Sequence, residues 1–287
     1  MGLLELVGLS PLMSRGQGRR EVAVALVDGP VARDHPDLAQ SAIRELPADV
    51  RGACSRRESV ACMHGTFVAG ILVARRGSQS PAICPGCTLL VRPIFTEDSN
   101  GNKRMPSASP EDLAEAITDA VRAGANIINL SAALTHPSAR GDSKLEQSLD
   151  YAAQRGVLVV AAAGNQGIVG SCAITRHPWV IPVTACDLQG RPIGGSNLGS
   201  SIGRQGLAAP GENIVSLGAD GKPQTSSGTS AAAPFVTGAV SLLWSEFPTA
   251  GAVRIRLAMM QAGNRARRTI VPPVLDAWAV YEVLSRN

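Results

Sequence analysis

Aromatic residues are scarce in this sequence, and it has no dense patch of one charge. Phe, Trp and Tyr together make up 3% of the 287 residues, and the net charge of +4 results from 27 basic and 23 acidic residues scattered along the chain. A nucleic-acid binder usually combines a basic surface with aromatic side chains that stack on bases. The composition therefore argues against nucleic acid as a partner.

Long apolar runs are also missing. No stretch reaches the roughly 18 apolar residues that a membrane-spanning helix needs, so we expect no membrane partner. The short apolar segment Gly2–Met13 is interrupted by Glu5 and is not preceded by a basic residue, which makes it a poor signal peptide. We interpret this segment as folded structure and expect a cytoplasmic rather than a secreted protein.

Cysteine is present but gives no clear metal motif. The six cysteines are Cys54, Cys62, Cys84, Cys87, Cys172 and Cys186. The spacing in Cys84-Pro85-Gly86-Cys87 would supply half of a zinc site, but no second CxxC or HxxxH pair completes the four ligands. We predict free buried thiols or a local bridge for this pair and leave the overall pairing open.

The residues that are present predict a globular α/β protein. Apolar residues make up 45% of the chain and charged residues 17%, and apolar runs alternate with amphipathic ones, as in βαβ units around a mostly parallel sheet. Predicted strands are Val22–Val27, Leu89–Phe95, Asn126–Leu130, Val157–Ala162 and Trp179–Ala185. Predicted helices begin at Ser109 and span Ser143–Arg155 and Ser227–Phe247. Because no repeat or long linker divides the chain, we expect one domain over residues 1–287.

Four polar residues lie at the ends of these predicted elements. Asp28 follows a buried strand, where open α/β sheets place their sites, and His64 opens a helix of small and apolar residues. Ser230 lies in the first turn of a helix, near free backbone N–H groups. Asn165 follows a buried strand and has a side-chain donor. Taken singly, these residues could be a strand-exit aspartate, a structural histidine, a helix cap and a turn.

Their combination resembles the subtilase family of serine peptidases. The segments VALVDGPV, HGTFVAG, INLS, AAAGNQG and SGTSAAAP occur in that family's order and approximate spacing, and the resemblance extends from about Val22 to Leu243. It implies a three-layer subtilisin-like fold with a mostly parallel central sheet flanked by helices. It further implies that Asp28 orients His64, that His64 takes the proton of the nucleophile Ser230, and that Asn165 completes the oxyanion hole.

The same resemblance implies where a peptide substrate binds. Ser131, Ala132 and Ala133 belong to an edge segment on which subtilases add the peptide as a strand. Residues Ala162, Ala163 and Gly164 resemble one wall of the pocket for the residue before the cleaved bond. No cofactor is required for this chemistry, and the oligomeric state is left open.

A narrower resemblance is to the subtilases that process cyanobactin precursor peptides. It is carried by Asp-Gly-Pro-Val, by the CPGC segment before Arg92-Pro93-Ile94-Phe95, and by the compact length. It implies a serine endopeptidase that trims a ribosomal precursor peptide through an acyl-enzyme. The alternatives are a peptide macrocyclase of the same fold, in which an amine resolves the acyl-enzyme, and a non-catalytic subtilase that only binds peptides.

Two departures from the family are visible. Phe67 stands where secreted subtilases often have histidine, which leaves His64 in place as the base. The segment 98–102 has the composition of a calcium loop, but it lacks the later glutamate of an EF-hand. We interpret it as a polar turn and assign no structural calcium.

Overall fold

The computed structural model describes residues 2–47, 54–97, 108–131, 143–262 and 269–286. The predicted subsite residues Ala132 and Ala133 and the polar segment 98–102 lie outside these ranges. The strands are β1 (Ala23–Asp28), β2 (Ala42–Glu45), β3 (Thr88–Pro93), β4 (Ile127–Leu130), β5 (Leu158–Ala162), β6 (Val180–Cys186), β7 (Leu207–Pro210), β8 (Ile214–Leu217) and β9 (Pro223–Ser226).

The helices are α1 (Leu3–Leu6), α2 (Leu9–Arg15), α3 (Val60–Val73), α4 (Pro110–Arg122), α5 (Ser143–Gln154), α6 (Ala173–Arg176), α7 (Ser200–Gln205), α8 (Thr229–Glu246), α9 (Ala252–Gln261) and α10 (Ala277–Ser285). A 3-10 turn at Pro36–Leu38 precedes β2. The segment Gly2–Met13 is thus folded, as the sequence predicts.

Within the described ranges, seven strands form one parallel sheet in the order β2-β3-β1-β4-β5-β6-β7. The first strand lies inside the sheet, with β3 on one side and β4 on the other. Successive strands are therefore added on both sides of β1, and such a switch point is where open α/β sheets bind ligands. The short strands β8 and β9 pair separately as an antiparallel hairpin.

Side chains of the sheet are buried on both of its faces. Along β1, Val24 and Leu26 belong to one of the two large hydrophobic clusters, whereas Ala25 and Val27 belong to the second. This alternation follows from the two-residue period of a strand. Helices α3 and α8 contribute to the first cluster, and α4 and α5 cover the second. The predicted three-layer α/β fold is therefore confirmed.

The central helix α8 is apolar or small almost all round and is nearly fully buried. Near its start, Ala231–Ala233 have small side chains that let the helix backbone approach the sheet. Farther along, the Thr237 hydroxyl donates to Oδ1 of Asn129 on β4 at 2.8 Å. This buried hydrogen bond ties the helix that carries Ser230 to the middle of the sheet.

The cysteines fall into two groups. Cys54 and Cys62 form a disulfide across eight positions of sequence. The other four, Cys84, Cys87, Cys172 and Cys186, are free and buried. For the CPGC pair, the structure therefore agrees with the prediction of free buried thiols and not with a local bridge. Among the described helices, none is long and apolar enough to cross a membrane.

Candidate active site

Asp28, His64 and Ser230 come together at the carboxyl edge of the sheet. Asp28 is the last residue of β1, His64 lies near the start of α3, and Ser230 is the second residue of α8. Nδ1 of His64 is 2.7 Å from Oδ1 of Asp28, and its Nε2 is 2.9 Å from Oγ of Ser230. The three side chains therefore form one continuous hydrogen-bonded chain.

Asp28 is fully buried at the inner end of this chain. Its Oδ1 also accepts from the backbone N–H of Gly29 at 2.6 Å, while Oδ2 is buried without a hydrogen-bond partner among the described residues. A buried carboxylate is costly unless an opposite charge compensates it. The imidazole of His64 is the group placed to do so, in its protonated form.

Two glycines let β1 and α3 approach closely enough for this contact. A Cβ atom on Gly29 would lie 1.9 Å from the carbonyl oxygen of Ala61, and one on Gly65 would lie 2.4 Å from the carbonyl oxygen of Gly29. Both distances are too short for any side chain. The glycine after Asp28 and the glycine after His64 thus set the spacing between the two elements.

The electrostatics of the site act mainly on His64. Burial lowers the pKa of this histidine, but the negative charge of Asp28 and the hydrogen bond that His64 donates to it raise the pKa, and the net result is above the ordinary histidine value. The pair with Asp28 therefore favours the imidazolium. This is the form that arises once the imidazole has accepted a proton from Ser230.

Asn165 lies on the loop that follows β5 and contacts Thr229, the residue before Ser230. Its Oδ1 accepts from the backbone N–H of Thr229 at 2.8 Å and from the Thr229 hydroxyl at 3.0 Å. Because the amide oxygen is used in this way, the Nδ2 group is the part of the exposed amide that is left to donate. Ser230 is at the start of α8, where backbone N–H groups have no partner within the helix. The free amide group of Asn165 and the N–H groups at the start of α8 are therefore the donors available for an oxyanion hole at this end of the helix.

The described subsite residues lie at the same edge. Ser131 directly follows β4, is buried, and accepts from Nδ2 of Asn129 at 2.8 Å. Ala162 ends β5, and Ala163 and Gly164 continue toward Asn165, all of them buried. The structure thus brings Ser131 and the segment 162–164 to the two adjacent strand ends beside the candidate nucleophile.

One group within the described ranges has the composition of a metal site, namely Cys54, Cys62 and Glu97. The two sulfurs are bonded to each other, so they are not thiolates that could bind a metal. Glu97 instead accepts from the backbone N–H groups of Ser55 and Arg56, at 3.2 and 2.9 Å. These residues do not fit a metal ion.

Two residues that support the site were not assigned a role from the sequence. Thr229 orients the amide of Asn165, and Asn197 makes several bonds to the loop around it. Both occur within short segments that the family resemblance covers. Nothing in periodicity or composition distinguishes them from ordinary loop and cap residues.

Comparison with known proteins supplies the family. The model of the Subtilase family, peptidase S8, matches residues 19–272. The chain belongs to the subtilase family. The sequence-based interpretation as a subtilisin-like serine protease is confirmed at this level.

Among its relatives, the thermophilic serine proteinase of Bacillus sp. (strain AK1) is 31% identical over 267 residues, which are 90% of this chain and 59% of that protein. Subtilisin DY of Bacillus licheniformis is 28% identical over 258 residues, 88% and 87% of the two chains.

Solved structures similar to this subtilase include two maturation proteases. A mutant of the protease domain of PatA has a TM-score of 0.86 and 33% identity, covering 94% of this chain and 97% of that one. The prenylagaramide maturation protease PagA has a TM-score of 0.85 and 30% identity, covering 96% and 98%. The PatG macrocyclase in complex with peptide has a TM-score of 0.84 at 22% identity, covering 96% and 95%. This last similarity shows a shared fold only.

Proposed function

We propose that this subtilase is a serine endopeptidase in which Ser230 is the nucleophile and His64 the general base. The observation that carries the proposal is the hydrogen-bonded chain from Asp28 through His64 to Ser230, at 2.7 and 2.9 Å. A serine hydroxyl is a weak nucleophile unless an adjacent base removes its proton as it attacks. Nε2 of His64 is within the reach that such a transfer needs.

The proposed reaction uses the hydrogen-bonded chain of Asp28, His64 and Ser230 twice. Oγ of Ser230 bonds to the carbonyl carbon of the scissile peptide while its proton passes to Nε2 of His64. The carbonyl oxygen becomes an oxyanion, which Nδ2 of Asn165 and the backbone N–H of Ser230 stabilise. His64 then gives its proton to the leaving amine as the C–N bond breaks. Water repeats the sequence on the acyl-enzyme and releases the carboxylic acid and the free serine.

Asp28 keeps Nδ1 of His64 protonated, so that Nε2 is the basic nitrogen, and it stabilises the imidazolium. Since His64 carries every proton that the reaction moves, we propose that the chemistry requires no cofactor. The proposal also places the catalytic machinery in one domain over residues 1–287.

The proposed substrate is a peptide, and more narrowly a ribosomal precursor peptide. Support comes from the two maturation proteases at 33% and 30% identity, whose similarity covers nearly the whole of this chain. In this proposal the peptide lies along Ser131 and the following residues as an added strand, and Ala162, Ala163 and Gly164 form a wall of the pocket before the cleaved bond. Similarity in fold alone links the chain to the macrocyclase, so hydrolysis is the better-supported outcome.

A fluorophosphonate probe tests the catalytic assignment. We expect one covalent adduct on Ser230 in the folded wild-type protein and none in Ser230→Ala. Cleavage of a peptide library, followed by mass spectrometry, then tests the substrate. A narrow cleavage motif with linear products supports precursor trimming, broad cleavage points to a degradative protease, and cyclic products point to transamidation. Absence of labelling on Ser230 would leave only the peptide-binding alternative.

A further inference from the structure

A buried asparagine outside the hydrogen-bonded chain holds the loop that carries Asn165. Asn197 lies in the segment between β6 and α7 and is 6% exposed. Its Nδ2 donates to the carbonyl oxygen of Ala163 at 3.1 Å and to Oε1 of Gln166 at 2.6 Å. Its Oδ1 accepts from the backbone N–H groups of Gln166 and Ile168 at 3.0 and 3.2 Å.

These bonds grip the loop on both sides of Asn165. Ala163 precedes the oxyanion donor, whereas Gln166 and Ile168 follow it. A fifth bond runs from the backbone N–H of Asn197 to the carbonyl oxygen of Gly164 at 2.9 Å and holds the residue directly before Asn165. A single side chain thus satisfies backbone groups that loops usually leave to water.

The loop is also fitted closely to this side chain. Gly164 has a φ of +107°, and a Cβ atom there would lie 2.3 Å from Nδ2 of Asn197. Only glycine can combine this backbone conformation with such close contact. The loop conformation that places Asn165 against Thr229, at the start of α8, is therefore built around the amide of Asn197.

We propose that Asn197 is a positioning residue that fixes Asn165 for oxyanion stabilisation. The proposal rests on the proposed serine endopeptidase function. The side-chain hydrogen bonds of Asn197 go to Ala163, Gln166 and Ile168, so its amide is engaged by the loop. It acts by pre-ordering the donor, because a preorganised donor needs no rearrangement as negative charge develops on the oxygen.

A double-mutant cycle with Asn165 tests this role. Asn197→Ala is expected to lower single-turnover acylation by about 10- to 100-fold, since a displacement of about 1 Å can cost about 10²-fold. In the Asn165→Ala background the same change should cost less than about three-fold, because the donor that Asn197 positions is already gone. A residue with a purely structural role would lower the rate by the same factor in both backgrounds.

The matched control is the neighbouring residue Ser196. It is also buried, but its hydroxyl bonds to the backbone of Ala185 on β6 at 2.9 and 3.2 Å and not to the loop. Ser196→Ala should destabilise the fold while leaving acylation within about two-fold of wild type at temperatures well below unfolding. Asn197→Asp keeps the acceptor oxygen but loses the donor, so its rate should fall between those of wild type and Asn197→Ala.

Hydrogen exchange supplies a readout that does not depend on activity. The amides of Gln166 and Ile168 should exchange faster in Asn197→Ala than in wild type. In Ser196→Ala their exchange rates should equal those of wild type. Unaltered exchange in Asn197→Ala, an acylation rate within two-fold of wild type, or equal rate losses in both backgrounds would each overturn the proposal. If wild-type protein fails to label on Ser230, the endopeptidase function falls with the catalytic part of this role, and exchange alone decides whether Asn197 orders the loop.

Discussion

At the scale of single residues, the pair of Asp28 and His64 links structure to pH dependence. The carboxylate is fully buried and is hydrogen-bonded to His64. Asp28 favours the protonated form of His64 and raises its pKa above the value usual for histidine. As the pH is lowered, the neutral form of His64 is therefore lost earlier than for an ordinary histidine. We therefore expect kcat/KM to fall as the pH is lowered through this raised pKa, since only neutral His64 can accept the proton of Ser230.

Replacement of Asp28 by Asn should change both the rate and the pH at which kcat/KM falls on the acidic side of the profile. Asn cannot hold Nδ1 of His64 in its protonated form, and kcat should fall by about 10⁴-fold, as the same change does in a serine peptidase of another fold. With the charge of Asp28 removed, only burial remains to act on His64, and the acidic limb of kcat/KM should move to lower pH. A pH profile of the residual activity measures both effects. A limb that stays in place would show that Asp28 does not set the pKa of His64.

The candidate site could be predicted from sequence because its residues occur in motifs, and for no other reason. Asp28, His64, Asn165 and Ser230 each have an ordinary structural alternative, and only their shared order in the chain indicates chemistry. Asn197 shows where this approach ends. Its contacts depend on how the segment before α7 lies against the loop after β5, and no local pattern encodes that arrangement.

At the scale of elements, the approach of α3 to β1 depends on Gly65. A methyl group there would lie 2.4 Å from the carbonyl oxygen of Gly29 and 2.5 Å from that of Pro30. In Gly65→Ala the helix must therefore move away from the strand, which we expect to cost about 1–3 kcal/mol of stability. The same movement lengthens the bond between His64 and Asp28, so kcat should fall as well.

Chemical denaturation and single-turnover kinetics of Gly65→Ala measure these two losses. Gly194→Ala serves as the control, because Gly194 is exposed and a Cβ atom there would have no neighbour within 4 Å. The control should keep both stability and rate. Gly65→Ala with wild-type kinetics would mean that the helix tolerates the methyl group without moving His64.

Strands within apolar runs were predicted well, and short strands outside such runs were not. The five apolar runs match β1, β3, β4, β5 and β6 to within two residues at each end. In contrast, β2, β8 and β9 have four residues each and include exposed or half-exposed positions. Such short segments have too little periodicity to be distinguished from loops. They become strands because a partner strand lies beside them.

At the scale of the whole molecule, the two large hydrophobic clusters share the same parallel sheet. Val24 and Val27, three positions apart on β1, face different clusters. Both clusters pack on the same strands, so the loss of one cluster exposes one face of the sheet on which the second cluster packs. We therefore expect a single cooperative unfolding transition, with coincident loss of secondary and tertiary circular dichroism signals. Two separated transitions would contradict the proposal of one domain over residues 1–287.

The disulfide between Cys54 and Cys62 acts on the stability of the whole molecule, because it restricts the unfolded chain. For a loop of this length, closed across eight positions, the loss of chain entropy corresponds to about 2–3 kcal/mol. A reductant should lower the free energy of unfolding of wild-type protein by that amount. The variant Cys54→Ala/Cys62→Ala should be less stable from the start and should not respond to reductant, since the four other cysteines are free. Denaturant titrations with and without reductant measure the difference. A response that persists in the variant would instead assign the bond to another pair, of which Cys84 and Cys87 are the closest in sequence.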